Sequence, residues 1–465
     1  MTLKNIPGWK HQPRPFQFRG IEFLEEHKGR GLIADEPGLG KTIQAIAWLW
    51  LHRREVRPVL VVCPNSVKLN WQREFRKWTG LPKAAYQVLT GGRGKMGRVG
   101  WALIVNYDIL HRRKAQLQRL GLKAIVLDEA HYIKTRGAKR SKAVVALAKK
   151  VPHLVALTGT PVMNRPVEIF NTLRLIRPGL FRNFWEFAQR YCRPKYNGFG
   201  WNFNGSSNRK ELRRLLCSTV MIRRRKKDVL KELPAKTRSV VPMEIDNRRE
   251  YDRAENDFRS WIWSRGKSEK EQRRAISAEA LVKVGVLKRL CAEGKMSSSI
   301  DWIEDLLETG EKLVVFAWHT STLDSLEDAF EGRVVRIDGG TSIVNRQEAV
   351  DQFQNSKGIR LFIGNIQAAG VGITLTAASH VAFLELPWSP SMLDQAEDRL
   401  HRIGQTRAVN VWYLLAPDSI EMKIMTLLDR KRRVVGSIID GVKPEKGEML
   451  TKLLEDYRAN KVQTT

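Results

Sequence analysis

The stretch GLIADEPGLGKT, residues 31–42, runs from a short apolar segment through a glycine-bearing turn to Lys41 and Thr42, and the helical pattern TIQAIAWLWLHRR follows at once. That order of buried strand, turn and helix is what phosphate binding needs. Gly38 and Gly40 let backbone N–H groups approach an anion, Lys41 can reach β and γ phosphates, and Thr42 can ligate magnesium. The strict GxxxxGK[ST] pattern departs at its first position, where Asp35 stands. The expected cofactors are ATP and Mg2+.

Working outward, apolar runs recur at spacings that leave room for helices: VLVVC from 59, ALIV from 102, AIVL from 124 and LVAL from 154. Runs without polar alternation mark parallel strands covered on both faces. Between them lie helical stretches such as NWQREFRKW. A second set begins at KLVVFAW, 312–318, and continues through RVVRID, IRLFIG, HVAFLEL and VWYLLA, separated by STLDSLEDAF and NRQEAVDQF. The fold class is therefore α/β, with two units built on mostly parallel sheets.

The 465 residues carry 81 Lys and Arg against 49 Asp and Glu, a net charge of +32. Such an excess favours a polyanion, either nucleic acid or an anionic membrane. Residues 171–240 hold 18 basic and 4 acidic side chains, so +14 of the total lies there. The segment from 244 to 292 reads as charged helix. Leu361 to Leu384 contains no Asp, Glu, Lys or Arg, but its Asn365, Gln367, Thr374, Thr376, Ser379 and His380 speak against lipid. Two buried strands and a functional loop are expected there, and no membrane partner. Cys63, Cys192, Cys217 and Cys291 form no CxxC pair, so neither a thiolate zinc site nor a disulfide framework is indicated. The first residues, MTLKNIPGWKHQPRPF, lack the apolar core of a secretory signal, and an intracellular setting is expected.

AIVLDEAH, 124–131, ends an apolar strand in two carboxylates. Asp128 suits the magnesium shell and Glu129 the attacking water. His131 either couples nucleotide state to the next loop or caps local structure. LTGTP, 157–161, brings Thr158 and Thr160 to a strand end. In RPFQ, Gln17 either pairs with an adenine edge or is a surface residue beside the anchor Phe16. In the second unit, WSPSMLDQAEDRLHRIGQ places Gln395, Arg399 and Arg402 on one expected helical face. Two arginines aimed at a cleft can neutralise charge on a transferring γ-phosphate. The loop GNIQAAGVGITLTAA supplies Gly370, Gly372 and Thr374 for nucleotide or a phosphate backbone. RIDGGTS offers Gly339 and Thr341 to a DNA strand. The basic runs RRRKK (Arg223, Arg224, Arg225, Lys226, Lys227) and RKRR (430–433) read either as phosphate contacts or as solvated faces.

Taken in order, FQFRGIEFL, DEPGLGKT, VVCPNSVKLNWQREF, DEAH, LTGTPVMN, VVFAWHTSTLDSL, RIDGGTS and QAEDRLHRIGQ resemble the Snf2-type branch of superfamily 2 ATPases over about residues 13–430. Within it the chain is most similar to the SMARCAL1-like annealing-helicase and fork-remodelling group. The resemblance implies a first RecA-like lobe over 1–170, basic helical protrusions and a linker over 171–300, a second RecA-like lobe over 301–440 and a tail over 441–465. It implies ATP and magnesium at Lys41, Thr42, Asp128 and Glu129, adenine at Gln17, and Arg399 and Arg402 acting across the lobe interface. It further implies a monomeric motor on duplex or forked DNA, with targeting proteins as further partners. The expected setting is cytoplasm or nucleoid in a prokaryote, or host cytoplasm for a phage protein. The competing readings are an RNA-dependent ATPase of the same superfamily and a non-catalytic DNA-binding protein.

Overall fold

In the computed structural model, which describes residues 5–9, 11–94, 96–97, 99–162, 165–196, 198, 200–264, 270–370 and 372–439, every apolar run picked out above is a strand. The strands are β1 (Arg30–Ile33), β2 (Val59–Cys63), β3 (Tyr86–Val88), β4 (Ala102–Asn106), β5 (Ala124–Asp128), β6 (His153–Leu157), β7 (Lys195–Tyr196), β8 (Trp201–Asn202), β9 (Met221–Ile222), β10 (Lys236–Pro242), β11 (Leu313–Ala317), β12 (Val334–Ile337), β13 (Leu361–Asn365), β14 (His380–Phe383) and β15 (Val409–Leu415). The expected tail over 441–465 lies outside the described residues.

The chain divides into two compact units, with the main break between Leu233 and Pro234 and a second after Lys431. The first is built on a seven-stranded sheet in the order β3-β4-β2-β5-β6-β1-β9. Its pairings are parallel, as the continuous burial of β2 and β4 requires. Helices Lys41–Leu51, Lys68–Thr79, Tyr107–Gln118 and Lys139–Ala148 cover it. Each follows a strand, so the strand-to-helix loops gather at the C-terminal edge of the sheet, where open α/β sheets bind ligands.

The second unit has a six-stranded sheet in the order β10-β15-β14-β11-β13-β12, again parallel. Residues 171–300, expected as basic helical protrusions and a linker, fall on both sides of the division. Strand β9 completes the first sheet and β10 the second. The charged segment after 244 forms helices Arg248–Ser264 and Lys270–Gly294. The stretch Leu361–Leu384 contains β13 and β14 joined by a loop, and among the described residues no helix is long and apolar enough to cross a membrane.

Candidate nucleotide site

Three loops at the C-terminal ends of β1, β5 and β6 carry the chemistry of the first unit. After β1 the chain turns through Gly38 (φ 88°) and Gly40 (φ 72°), left-handed conformations that glycine adopts without strain. Gly40 caps the helix that Lys41 begins, so its N-terminal N–H groups and positive dipole end face the loop. Thr42 is the second residue of that helix. Lys41 Nζ donates to the Asp35 carbonyl at 3.0 Å and lies close enough to Asp128 to favour its ionised form. Gln17 is buried rather than superficial. Its Nε2 donates to the Leu39 carbonyl at 3.1 Å, and its Oε1 accepts from Arg14 N at 2.8 Å. A Cβ on Gly40 would lie 2.4 Å from that Nε2, so glycine here also lets Gln17 close on the loop.

At the end of β5, Asp128 Oδ2 accepts from the Trp71 indole at 2.8 Å, and Oδ1 accepts from the Glu129 backbone N–H at 3.0 Å. Burial, and then the charge of Glu129, push the Asp128 carboxyl up to about 6, against the opposing pull of Trp71 and Lys41. Glu129 adopts φ 50°, which turns its side chain from the strand direction toward β6. There Thr158 Oγ1 donates to Glu129 Oε2 at 3.3 Å, and His131 Nδ1 lies 3.2 Å from both Oε2 and Oγ1. His131 and Thr158 thus flank the expected base. Thr160 N donates to the same Thr158 hydroxyl at 3.1 Å. A Cβ on Gly159 would meet Pro37 at 2.6 Å, so the two loops can touch only because the residue is glycine.

Among the described residues no group of three or more His, Cys, Asp or Glu side chains could cage a metal ion. Magnesium needs no such cage, because it commonly keeps one or two protein oxygens alongside phosphates and water. A carboxyl whose ionisation is opposed by burial gains from a divalent cation nearby, so Asp128 fits that ion, and the Thr42 hydroxyl is an oxygen of the kind it takes.

In the second unit the helix expected to carry both arginines ends at Glu397. Arg399 and Arg402 follow in tight turns, with Arg399 N bonded to the Ala396 carbonyl and Arg402 N to that of Leu400. Glu397 is fully buried and held by Lys236 at 2.7 Å, Arg238 at 2.6 Å and Tyr413 Oη at 2.9 Å, which ties the helix end to β10 and β15. The arginines still converge: Arg399 Nη1 and Arg402 Nη1 each donate to the Ile373 carbonyl at 3.3 Å. Ile373 sits between Gly372 (φ 83°) and the half-buried Thr374, so the glycine loop and the arginine turn form one structure. Gln405 is interior, donating to the Ala378 carbonyl at 2.8 Å.

The expected DNA contacts separate into two kinds. Gly339 is open, with nothing within 4 Å of a Cβ placed there. The Thr341 hydroxyl closes its own turn on Asp338, bonding Oδ1 at 3.0 Å. In the RRRKK run only Lys227 is exposed; Lys226 is buried and Arg225 pairs with Asp228 at 2.8 Å. Arg223 and Arg224 point into the first unit, where Arg224 binds Asp35. This places them away from the solvated face that the charge run suggested. Sequence reading missed Trp71, the Asp35–Arg224 pair and the Glu397 cluster. Only Trp71 had a local signal, the conspicuous NWQREF.

The sequence matches the SNF2-related domain over residues 16–296 and the helicase conserved C-terminal domain over 298–404. It is 38% identical over 427 residues to the SWI/SNF-related matrix-associated actin-dependent regulator of chromatin subfamily A-like protein 1 of Xenopus laevis, covering 91% of this chain and 43% of that protein. It is 36% identical over 448 residues to the human DNA annealing helicase and endonuclease ZRANB3, covering 92% and 40%. The chain thus spans less than half the length of either relative. A solved Sulfolobus solfataricus SWI2/SNF2 ATPase core in complex with dsDNA aligns with 28% identity and a TM-score of 0.46, over 95% of this chain and 96% of that one.

Proposed function

Because the chain belongs to the SNF2-related family, we propose that it is a DNA-dependent ATPase that couples ATP hydrolysis to movement along double-stranded DNA. The observation that carries this reading is the gathering of the Lys41 loop, the Asp128–Glu129 pair and the Thr158–His131 pair on the ends of three adjacent parallel strands. The Gly38–Thr42 backbone and Lys41 bind the phosphates. Thr42 and Asp128 would hold a magnesium ion, which would supply positive charge to offset that of the phosphates. Glu129, oriented by Thr158 and His131, positions the attacking water and takes its proton. Arg399 and Arg402, set by the Ile373 carbonyl, meet the charge that develops on the γ-phosphate.

The DNA reading draws on the family and on the +32 net charge. Remodelling of forks or annealing of strands is proposed from the likeness to the annealing helicase, within the part of that relative this chain spans. The test is ATP turnover with duplex, single-stranded and forked DNA and with duplex RNA, each across a salt series. Duplex or forked DNA is expected to stimulate most, with stimulation falling as salt rises. Stronger stimulation by RNA makes the protein an RNA-dependent ATPase, and no turnover with any polymer removes the catalytic reading.

A further inference from the structure

The segment Arg223–Lys226 carries part of the densest positive charge in the chain, yet its donors meet the nucleotide loops. Arg223 Nη1 donates to the Ala34 carbonyl at 2.7 Å, where β1 ends, and to the Gly159 carbonyl at 3.2 Å, in the loop after β6. Arg224 embraces Asp35: its backbone N–H reaches Oδ1 at 3.1 Å, Nε reaches Oδ1 at 2.8 Å, and Nη2 bonds Oδ2. The same guanidinium donates to Gln44 Oε1 at 2.7 Å and to the Phe16 carbonyl, beside Gln17. Gln44 closes the ring by donating to Asp35 Oδ2 at 3.0 Å. Lys226 N donates to Glu36 Oε2 at 2.6 Å, and the Glu36 N–H donates to the Arg224 carbonyl at 3.1 Å. Gly20 makes the approach possible, since a Cβ there would lie 2.8 Å from Arg224 Nη2.

Asp35 is wholly buried and stands where the usual phosphate-loop pattern has its first glycine. A buried carboxylate needs a partner, and a forked, two-bond arginine also fixes direction. We infer that Arg224, with Arg223 and the Lys226 backbone, is a positioning clasp that holds the Asp35–Thr42 loop in its phosphate-binding shape and thereby sets nucleotide affinity, rather than a contact to DNA. One four-residue segment reaches the ends of three elements that the ATPase reading assigns to nucleotide: the Gln17 helix, the Lys41 loop and the Thr158 loop. The inference rests on that reading and adds a control point outside the phosphate motif itself.

The test measures mant-ADP affinity, ATP KM and kcat, and DNA affinity across salt for R224Q, R224K and the double variant D35N/R224Q. Arg224→Gln alone strands the Asp35 charge, so the double variant, which removes both charges, keeps the measurement independent of misfolding. Displacing the loop should weaken mant-ADP binding about ten-fold or more, in line with the loss of up to ~10²-fold that small misplacements cause. ATP KM should rise with it, while kcat at saturating ATP stays within about three-fold and DNA affinity within about two-fold. R224K should recover binding only in part, because an ammonium cannot span both carboxylate oxygens. Adding D35N to R224Q should cost little further, since both remove the same interaction. Unchanged mant-ADP binding in the double variant, with a salt slope for DNA lowered by about one, would mark Arg224 as a phosphate contact and overturn the clasp. Wild-type protein that binds no mant-ADP at all would instead remove the ATPase reading.

Discussion

One short stretch of chain, Arg223 to Arg238, sends basic side chains into both units, and the two ends do parallel work. In the first unit Arg224 grips the buried Asp35 at the root of the phosphate loop. In the second, Lys236 and Arg238 grip the buried Glu397 two residues before Arg399. Each pair stands next to, but outside, the groups assigned to chemistry. The difference lies in the surroundings. Asp35 meets one guanidinium, the backbone N–H of the same arginine and one side-chain amide, whereas Glu397 is shared by two cations and a tyrosine hydroxyl, with Asp398 adding a second carboxylate to Lys236 at 3.4 Å. Although burial works against it, the charge of Glu397 and Asp398 holds Lys236 above its usual range. Positive charge that composition alone assigns to a polyanion is thus partly internal structure.

Breaking the second cluster should have the largest effect. Glu397→Gln leaves Lys236 and Arg238 facing an amide in a mostly buried place, and a loss of about 3–5 kcal/mol in unfolding free energy is expected by denaturant titration. An unchanged midpoint would show that the cations find other partners and that the two units differ more than their ion pairs suggest.

A smaller effect of opposite sign should come from Asp128, a half-buried acid of the first unit. Asp35 has an arginine; Asp128 has an indole and a backbone N–H, and its carboxyl sits at about 6 against an ordinary 3.8. Its folded-state value is raised, so the stability it contributes is complete below the ordinary value and is lost as pH rises through about 6. Asp128→Asn should therefore stabilise the metal-free protein by about 1–3 kcal/mol at pH 8 while abolishing turnover, and the gain should vanish toward pH 4. Thermal unfolding across pH with EDTA present measures it, and a destabilised variant at pH 8 would contradict the electrostatics.

How much of this was legible in the sequence follows from burial and distance. The central strands announce themselves because both faces are covered, so VLVVC and AIVL carry no polar interruption. The strands that escaped notice are β3, β7, β8, β9 and β10: β7 and β8 form a two-stranded sheet, β3 and β9 are edge strands of two or three residues, and the edge strand β10, KTRSVVP, opens with four charged or polar residues. Lys41, Asp128 and Glu129 stand in short local motifs that name their own chemistry. Their supports do not: Trp71 lies 57 residues from Asp128, Lys236 161 from Glu397, and Arg224 189 from Asp35. The helix over Arg399 and Arg402 failed for a related reason. Periodicity shows which residues share a face, but not that Glu397 is drawn onto β10 and β15, with the chain turning beyond it.

Central to the proposed function is that acids and lysine in the first unit and arginines in the second are proposed to serve one hydrolysis. The direct measurement is duplex-stimulated ATP turnover of Arg402→Ala beside Lys41→Ala, with mant-ADP binding followed in both. The account predicts that Arg402→Ala lowers stimulated turnover by about 10²-fold or more while leaving mant-ADP affinity within about three-fold, and that Lys41→Ala loses turnover as well. Stimulated turnover left intact by Arg402→Ala would contradict it.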